Sequence, residues 1–396
     1  MLFRSIASDR PITAPRTADA VVIGAGVVGA CCAHYLAAAG LNVVVVDRGL
    51  VASGTTGAGE GNILVSDKEI GAELELALYS RRLWQELSSD LVRAEFDAKG
   101  GVVVATSDEI ARKLSETAAF QRAAGVEAIN LDQSQLRELE PHINPKIGSA
   151  VFYPQDAQVQ PMLTAAELLH NAAPRVQVIT YADVTAIQLD TTGAVKAVVT
   201  SRGSIATPTV INAAGTWGGA VAALAGVELP IHPRRGFILV TTPQPLMVHH
   251  KVYTAEYLAN VASDNAGLET STVVEGTRSG TILIGASRER VGFDKSVNYE
   301  ALRRLARGAI EIFPFLADVK LLRTYSGFRP YCPDHLPVIG PDSRVPGLYH
   351  ACGHEGAGVG LAAASGKLIA DSVIGADTYL ALEPFRPERF EKVAHV

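Results

Sequence analysis

Cysteine is scarce in this 396-residue sequence, and its four copies form no metal-binding or disulfide pattern. Cys31 and Cys32 are adjacent, while Cys332 and Cys352 stand apart, so there is no Cys-x-x-Cys pair. A zinc site and the disulfide framework of a secreted protein are therefore not expected. The sequence predicts a protein of the reducing cytoplasm without a bound metal.

An excess of basic residues is also missing, since 35 Lys and Arg stand against 41 Asp and Glu. The net charge is -6 and the basic residues are scattered, which argues against a nucleic-acid-binding surface. Aromatic residues make up only 6% of the chain, whereas 48% is hydrophobic and 36 residues are glycine. This composition and this length favour a two-domain α/β enzyme with many tight turns.

Charged residues are absent from one long stretch, residues 20–46. A helix of that length could span a bilayer, but four glycines interrupt the stretch. Its two ends are typical of short strands buried on both faces of a parallel sheet, so we expect no membrane span. Residues 1–19 form an N-terminal extension with three arginines and no apolar signal core. We expect this extension to be disordered; a targeting or partner-binding tail is the alternative.

The predicted strand at residues 20–23 leads into the turn Gly24-Ala25-Gly26-Val27-Val28-Gly29, which has the G-x-G-x-x-G spacing of dinucleotide-binding proteins. In this pattern the glycines permit a tight turn, close approach of a pyrophosphate and close helix–strand packing. The following helix directs free N–H groups and a partial positive charge at the phosphates. Asp47 ends the second strand, where its carboxylate can accept hydrogen bonds from ribose hydroxyls. The unit predicts dinucleotide binding; the alternative is a purely structural turn.

A second glycine-rich turn, residues 352–360, lies between a predicted strand and an alanine-rich helix that ends near Ile374. Such a turn lets the backbone pass close to a planar ligand, and the helix dipole can stabilise the negative charge of a reduced flavin. Nicotinamide-dependent enzymes of this type tend to have one such loop. We therefore expect FAD, although a nicotinamide-dependent dehydrogenase remains an alternative.

The motifs of this chain resemble the FAD-dependent D-amino acid oxidase family, in the branch of glycine oxidase and sarcosine oxidase. The resemblance covers Ala20 to about Ile374. It rests on the βαβ unit, residues 53–62, 183–184 and 212–217, Gly327-Phe328-Arg329-Pro330, and residues 353–358. Residues 53–68 are most similar to the β subunits of multi-subunit bacterial opine (octopine or nopaline) and D-hydroxyproline dehydrogenases, with the hydrogen cyanide synthase subunit as a relative.

This resemblance and the order of the predicted elements imply an α/β (mixed α+β) fold, in which a Rossmann-like FAD-binding domain is interleaved with a β-rich substrate-binding domain. We assign residues 20–95, 150–228 and 325–396 to the FAD-binding domain. Residues 96–149 and 229–324 are assigned to the substrate-binding domain.

The resemblance also implies which residues contact FAD. They are Gly24, Gly26, Val27, Val28, Gly29, Asp47, Arg48, Ser53, Gly54, Thr55, Thr56, Gly59, Gly61, Asn62, Val184, Ala214, Gly215, Trp217, Arg329, Gly353, His354, Glu355, Gly356, Ala357 and Gly358. Trp217 could equally be a core aromatic residue. No cysteine stands where sarcosine oxidases attach their flavin, because Gly327 occupies that position, so we expect non-covalent FAD.

Three residues are candidates for catalysis. Arg329 can bind a substrate carboxylate with two parallel hydrogen bonds, or it forms an interdomain salt bridge. His354, beside the flavin turn, is a candidate base, although a positioning role is favoured. Tyr253 is the third candidate, and together with Tyr257 and His335 it is expected in the pocket wall.

The expected reaction is oxidation of a C–N bond in a small amino acid, imino acid or opine by hydride transfer to flavin N5. We expect the chain to be the catalytic β subunit of a dehydrogenase whose partner subunits carry further redox centres. The alternatives are a stand-alone glycine or D-amino acid oxidase that uses oxygen, a hydrogen cyanide synthase-like subunit, and a non-catalytic FAD subunit that only passes electrons.

Overall fold

A computed structural model of the chain describes residues 14–261 and 264–393, so most of the expected N-terminal extension lies outside the described residues. The helices are α1 Val27–Ala38, α2 Ala72–Leu87, α3 Asp108–Ala123, α4 Gln133–Leu139, α5 Pro161–Asn171, α6 Gly218–Ala223, α7 Ala255–Val261, α8 Tyr299–Ile312 and α9 Gly358–Val373. None of the described helices is long and apolar enough to cross a membrane.

The strands outnumber the helices. They are β1 Ala20–Ile23, β2 Val43–Val46, β3 Asn62–Ile63, β4 Gly101–Ala105, β5 Ile129–Asp132, β6 Ser149–Tyr153, β7 Ala157–Gln158, β8 Val176–Ile179, β9 Val184–Leu189, β10 Val195–Thr200, β11 Gly203–Ala206, β12 Val210–Asn212, β13 His232–Thr241, β14 Lys251–Thr254, β15 Glu269–Gly276, β16 Ile282–Arg288, β17 Leu321–Tyr331, β18 Val338–Pro341 and β19 Leu348–Cys352.

A six-stranded sheet carries the glycine-rich turns, in the order β18-β19-β12-β1-β2-β8. Its strands are parallel except for the β18–β19 pair. β1 and β2 consist of apolar residues that are all buried, as expected for strands covered on both faces. α1 and α9 pack against each other on one side of this sheet, and their small residues allow a close approach: a Cβ on Gly366 would lie 2.6 Å from the Cys31 carbonyl carbon.

An eight-stranded sheet has the order β17-β13-β16-β15-β14-β4-β6-β5. Its strands are antiparallel except for the β14–β4 pair. α8 covers part of it with Ala301, Leu305, Ala309 and Ile312, whose spacing places them on one helix face. The Asn298 side chain caps α8 by accepting hydrogen bonds from two backbone N–H groups of the first turn.

Strands β9, β10 and β11 form a separate antiparallel sheet, and β3 pairs with β7. The combination of a parallel sheet flanked by helices and a larger antiparallel sheet confirms the predicted mixed α/β fold. The two main sheets also place the functional residues, because the ends of β1, β2, β12 and β19 point toward the same space as β13 and β17.

β6 and β17 lie in segments that the prediction assigns to the FAD-binding domain, and both are strands of the eight-stranded sheet. β6 pairs with β4 and β5, and β17 pairs with β13 over almost its whole length. The division of the chain into two domains stays a prediction. The sequence does not indicate the pairing of β17, since the Gly327-Phe328-Arg329-Pro330 motif contains two residues that usually interrupt strands.

Candidate active site

A cavity of about 890 Å³ lies between the two main sheets, a volume near the upper end of ligand sites. One end is formed by the β1–α1 turn, Asp47 and Val184. The other end is formed by the middle of β13, the last part of β17, and the turn before α9. An elongated ligand can thus extend from the six-stranded sheet to the eight-stranded sheet.

The glycines of the β1–α1 turn are required by close backbone contacts. Gly24 has a φ of +115°, and a Cβ on it would lie 2.4 Å from the Ala213 carbonyl oxygen. A Cβ on Gly29 would lie 1.9 Å from the Gly24 carbonyl oxygen. Gly26 precedes α1 and offers no side-chain cap, and the first N–H of the helix, that of Val27, donates to the Thr56 hydroxyl, so that this hydroxyl and the next N–H, that of Val28, lie at the cavity wall.

Asp47 lines the same end of the cavity and organises the turn around it. Its Oδ2 accepts a hydrogen bond from the Ala25 N–H at 2.8 Å, and its Oδ1 accepts one from the Gly49 N–H at 2.7 Å. A carboxylate has about four acceptor positions, so these two bonds leave room for further donors such as ribose hydroxyls. The predicted ribose contact is compatible with this geometry and stays a prediction.

The loop after β2 connects the two sheets at the middle of the cavity. The Thr56 hydroxyl accepts a hydrogen bond from the Val27 N–H at 3.0 Å. Thr55 and Thr216 both donate to the Phe328 carbonyl oxygen, at 2.7 and 2.8 Å. The loop therefore binds α1 through the Thr56 hydroxyl and β17 through the Thr55 hydroxyl, so it links the dinucleotide-binding turn to the eight-stranded sheet.

Trp217 lies in the cavity wall between a cation and another aromatic ring. The Arg48 guanidinium carbon is 3.9 Å from the centre of its ring, within the range of a cation–π contact. The Phe293 ring stacks on it with a centroid distance of 5.3 Å and an interplanar angle of 7°. Trp217 is thus a wall residue of the cavity rather than a core aromatic residue.

Most of the expected FAD-binding residues line this cavity. They are Gly24, Gly26, Val27, Val28, Asp47, Arg48, Ser53, Gly54, Thr55, Thr56, Gly59, Asn62, Val184, Ala214, Gly215, Trp217, Arg329, His354, Glu355, Gly356 and Gly358. Gly29, Gly61 and Gly353 do not line it but shape the wall from behind. For example, a Cβ on Gly61 would lie 1.7 Å from the Val159 carbonyl oxygen. Ala357 lines a smaller neighbouring cavity instead.

Arg329 stands between the main cavity and this smaller cavity of about 40 Å³. Its Nη1 donates a hydrogen bond to the Ser287 carbonyl oxygen at 2.8 Å. A Cβ on Gly236, in the neighbouring strand, would lie 2.2 Å from Nη1, so a glycine is needed there to seat the guanidinium. The backbone contact fixes one nitrogen of the fork, and the remaining N–H groups can bind an anion.

Two further arginines surround Arg329. Arg234 lies directly opposite it in the β13–β17 register, and Arg288 lines the smaller cavity with both of them. Burial lowers the pKa of Arg288 to about 10, and the charges of Arg329 and Arg234 act in the same direction. The Glu355 carboxylate lies 3.6 Å from Arg234 Nη1 and offsets part of this charge. Asp67, Glu69, Glu73 and Lys68 line the same small cavity, which thus holds as many acidic residues as lysines and arginines, and Arg329 has the fork geometry that binds a carboxylate.

His354 lines the main cavity but is only 4% exposed. Its Nε2 lies 2.9 Å from Ser365 Oγ, and that hydroxyl donates to the Leu361 carbonyl oxygen. The Nε2–H is therefore the donor to Ser365. Burial lowers the pKa of His354 to about 3, so the imidazole stays neutral and is poorly suited to act as a base. The positioning role of His354 stays a prediction.

The expectation for Tyr253 needs correction. Its side chain is fully buried and lines neither cavity among the described residues. The hydroxyl lies in a hydrogen-bond network with Asp156, at 3.1 Å, and Ser66. All residues of β14 are buried, and Tyr253 packs in the core behind the cavity walls. Tyr257 does line both cavities, and His335 lines the smaller one, with its Nδ1 2.9 Å from Glu355 Oε1.

Sequence reasoning missed some residues of the cavity walls, among them Glu60, Arg288 and Lys295. Glu60 is flanked by two glycines and reads as part of a flexible loop, yet it is only 8% exposed. Arg288 ends a β-strand, as many surface arginines do. Alternation along β16 gave no signal for it, since this strand is buried on both faces.

A dinucleotide-binding turn that lines a large cavity together with Arg329 is typical of a dinucleotide-dependent oxidoreductase. The family comparison specifies the class further. Residues 19–372 match the family model described as FAD dependent oxidoreductase (DAO), and the chain belongs to this family. The expected cofactor, FAD, and the expected enzyme class are thereby confirmed.

The chain is similar to proteins of this family over nearly its whole length. It is 29% identical to the hydrogen cyanide synthase subunit HcnC of Pseudomonas aeruginosa, over 95% of this chain and 97% of that protein. It is 30% identical to the glycine oxidase of Pseudomonas putida, over 93% and 98%. The structure of L-proline dehydrogenase from P. horikoshii superposes with a TM-score of 0.87 and 25% identity, covering 96% of this chain and 99% of that one.

Proposed function

We propose that the protein oxidises the C–N bond of a small amino or imino acid, with FAD as the electron acceptor. The observation that carries this proposal is Arg329, which reaches the cavity at the end opposite the dinucleotide-binding turn. Relatives whose names refer to glycine, sarcosine and proline support an amino-acid substrate. A carboxylate on Arg329 would orient such a substrate in the cavity.

Different residues of the cavity would bind the different parts of FAD. The N-terminus of α1 and the hydroxyls of Ser53 and Thr56 would face the pyrophosphate, and Asp47 would face the adjacent ribose. The backbone near Val184 would hold the adenine, and the N-terminus of α9 would face the pyrimidine edge of the flavin. Bound FAD supplies the hydride acceptor, flavin N5. The chain presents the substrate Cα–H to it and excludes water, and the product imine is hydrolysed afterwards.

Three arginines lie close together at this site, although acids balance their charge. Arg234 and Arg288 line the smaller cavity with Arg329, and Arg234 pairs with Glu269 and Glu355. Opines have a second carboxylate on the N-alkyl group, so they suit this site better than glycine. We therefore propose an opine or a cyclic imino acid as substrate. Glycine or a D-amino acid, oxidised by a stand-alone oxidase, is the alternative.

We further propose that the chain is the catalytic β subunit of a multi-subunit dehydrogenase. The similarity to a hydrogen cyanide synthase subunit supports an assembly with partner chains. Phe293, which stacks on Trp217 at the cavity wall, is 46% exposed, and Val291 and Val297 beside it are 38% and 50% exposed. Exposed apolar side chains so close to the cofactor cavity favour contact with a partner that accepts electrons.

A substrate screen with the purified protein tests this proposal. The holoenzyme is mixed anaerobically with glycine, sarcosine, D- and L-proline, D-hydroxyproline, octopine and nopaline, and bleaching of the flavin absorbance is recorded. Turnover is then compared between oxygen and a dye acceptor. We expect an opine or imino acid to bleach the flavin and the dye to be the better acceptor. Bleaching by none of them contradicts the reaction, and rapid stoichiometric formation of hydrogen peroxide contradicts the subunit role.

A further inference from the structure

Glu60 is a buried acid in the wall of the main cavity for which the proposed function has no role. It follows the loop of Thr55 and Gly59 and is 8% exposed. Acidic side chains are rarely buried without partners, because the loss of hydration destabilises the charged form. A hydrogen-bond donor on a bound ligand would offset this cost for a buried carboxyl in a ligand cavity.

The carboxyl of Glu60 has an unused acceptor. Its Oε2 accepts a hydrogen bond from the Asn62 amide at 3.4 Å. Its Oε1 is fully buried and has no hydrogen-bond partner among the described residues, and the same holds for Asn62 Oδ1. Two neighbouring acceptors without a donor, both on residues that line the cavity, form a place for a group that carries several N–H bonds.

The neighbouring strand leaves room for this carboxyl. A Cβ on Gly285, in β16, would lie 2.7 Å from Glu60 Oε1 and 2.9 Å from a methyl carbon of Ile238. Oε1 therefore lies between the loop and the two strands that also carry Arg329's supports, Gly236 and Ser287. The acid and the carboxylate-binding arginine belong to the same part of the cavity.

Several charged and titratable groups face Glu60. Burial raises the pKa of its carboxyl, Glu275 raises it further, and Lys251 and Arg329 lower it. Lys251 is itself paired with Glu275, at 2.5 Å, so the opposite effects of these two residues on the pKa of Glu60 offset each other. The hydroxyls of Tyr257 and Tyr325 lie nearby, and the pKa of each is raised by its own burial first, so both stay neutral. Burial thus favours the neutral carboxyl of Glu60, whereas the cations of Lys251 and Arg329 favour its carboxylate.

We infer that Glu60 binds the amino group of the substrate and removes one proton from it. This inference rests on the proposed amine oxidation. An amino acid enters as an ammonium, which has no lone pair to assist the loss of hydride from Cα. In the step, an N–H bond of the ammonium breaks and an O–H bond forms on Glu60 Oε1, which leaves a neutral amine and a neutral carboxyl. Arg329 meanwhile holds the substrate carboxylate.

The variant Glu60→Gln tests this role, because it keeps the shape and the hydrogen bond with Asn62 but cannot take a proton. Flavin reduction is followed anaerobically from pH 5 to 10, with whichever of sarcosine, D-proline and octopine bleaches the wild type fastest. We expect reduction at pH 7 to be about 100-fold slower in E60Q, in line with general-base catalysis. Its rate should keep rising toward the pKa of the free amine, whereas the wild-type rate levels off at lower pH.

Two measurements separate this role from a structural one. Glycolate, which has the carboxylate but no amino group, should perturb the flavin spectrum of wild type and E60Q with the same affinity. Glu75→Gln removes an exposed acid on α2 and should leave the pH profile unchanged. Glu60→Asp keeps the charge but withdraws the carboxyl by one methylene, so it should slow reduction without weakening glycolate binding.

An E60Q variant with a wild-type pH profile, or E60D with the wild-type rate, overturns the role of Glu60. Loss of FAD from E60Q would instead place Glu60 against the cofactor and overturns it as well. These results differ from a failure of the proposed function, in which none of the three amines bleaches the flavin of the wild type.

Discussion

Arg329 donates a hydrogen bond from one nitrogen to the Ser287 carbonyl oxygen, and Gly236 leaves the space that its guanidinium occupies. The guanidinium therefore has a fixed direction. We expect Arg329→Leu to raise KM for carboxylate substrates by about two orders of magnitude at unchanged flavin content. The reason is that a shielded guanidinium–carboxylate pair contributes about 3 kcal/mol or more when one partner is removed. Steady-state kinetics with a dye acceptor measure this effect.

Arg323→Leu is the matched control, because Arg323 is an exposed arginine on the same strand. It should leave KM unchanged. If R329L and R323L behave alike, the carboxylate is bound elsewhere, and Arg234 and Arg288 are the next residues to test.

His354 links stability to pH. Its pKa is about 3 in the folded protein, against an ordinary value near 6.5, so the unfolded chain takes up a proton first as the pH falls. The folded state is therefore destabilised as the pH falls from about 6.5 toward 3, by roughly 2 kcal/mol between pH 6.5 and 5. His354→Gln should remove this part of the acid sensitivity, measured as the difference in thermal unfolding temperature between pH 7 and 5. An equally steep loss in H354Q would assign the sensitivity to other groups.

At the residue scale, the sequence predicted those positions whose chemistry is tied to a motif. Asp47 directly follows β2, Thr55 follows a glycine and Arg329 precedes a proline, and all three line the cavity. The prediction that Tyr253 lies in the pocket wall was wrong, because the sequence of a fully buried strand does not show which face of the sheet a tyrosine occupies. Glu60 was missed because only the folded chain shows that a glutamate between two glycines is buried.

Among the secondary-structure elements, α1 depends most on a single glycine. We expect Gly29→Ala to lower both the stability and the FAD content of the protein. The added Cβ would meet the Gly24 carbonyl oxygen, a backbone atom that cannot rotate away, and overpacking of this kind costs about 1–3 kcal/mol. The unfolding temperature and the absorbance ratio of flavin to protein report the two effects.

Gly148→Ala provides the control for this variant. Gly148 is exposed, and a Cβ there would meet nothing within 4 Å. G148A should match the wild type in both measurements. If G29A also does, the third glycine of the motif is not needed for packing in this protein.

At the same scale, the sequence marks some helices more clearly than some strands. α2 and α8 have a helical spacing of apolar residues, and Asp132 and Asn298 cap the starts of α4 and α8. β14 and β17 have no comparable pattern. β14 begins with a lysine that is buried only because Glu275 pairs with it, and β17 alternates irregularly and begins with exposed residues. Such strands are specified by their neighbours and not by their own pattern.

On the scale of the whole molecule, the way the cofactor is held can be tested directly. None of the four cysteines lines the main cavity, and all four are buried. We therefore expect FAD to be bound without a covalent link, so that acid precipitation releases all the flavin into the supernatant. Flavin that stays with the precipitated protein would contradict the expectation of non-covalent FAD, and His354 would then be the first residue to test as the point of attachment.

The interleaving of the two sheets could be predicted from the sequence, but the place of β17 in the eight-stranded sheet could not. The contacts of this strand link the two sides of the cavity. Its Phe328 carbonyl is held by Thr55 and Thr216 of the cofactor side, and the next residue is Arg329. A ligand that orders one side therefore lowers the entropy lost on ordering the other. By reciprocity, glycolate should strengthen the binding of FAD by the same factor by which FAD strengthens the binding of glycolate.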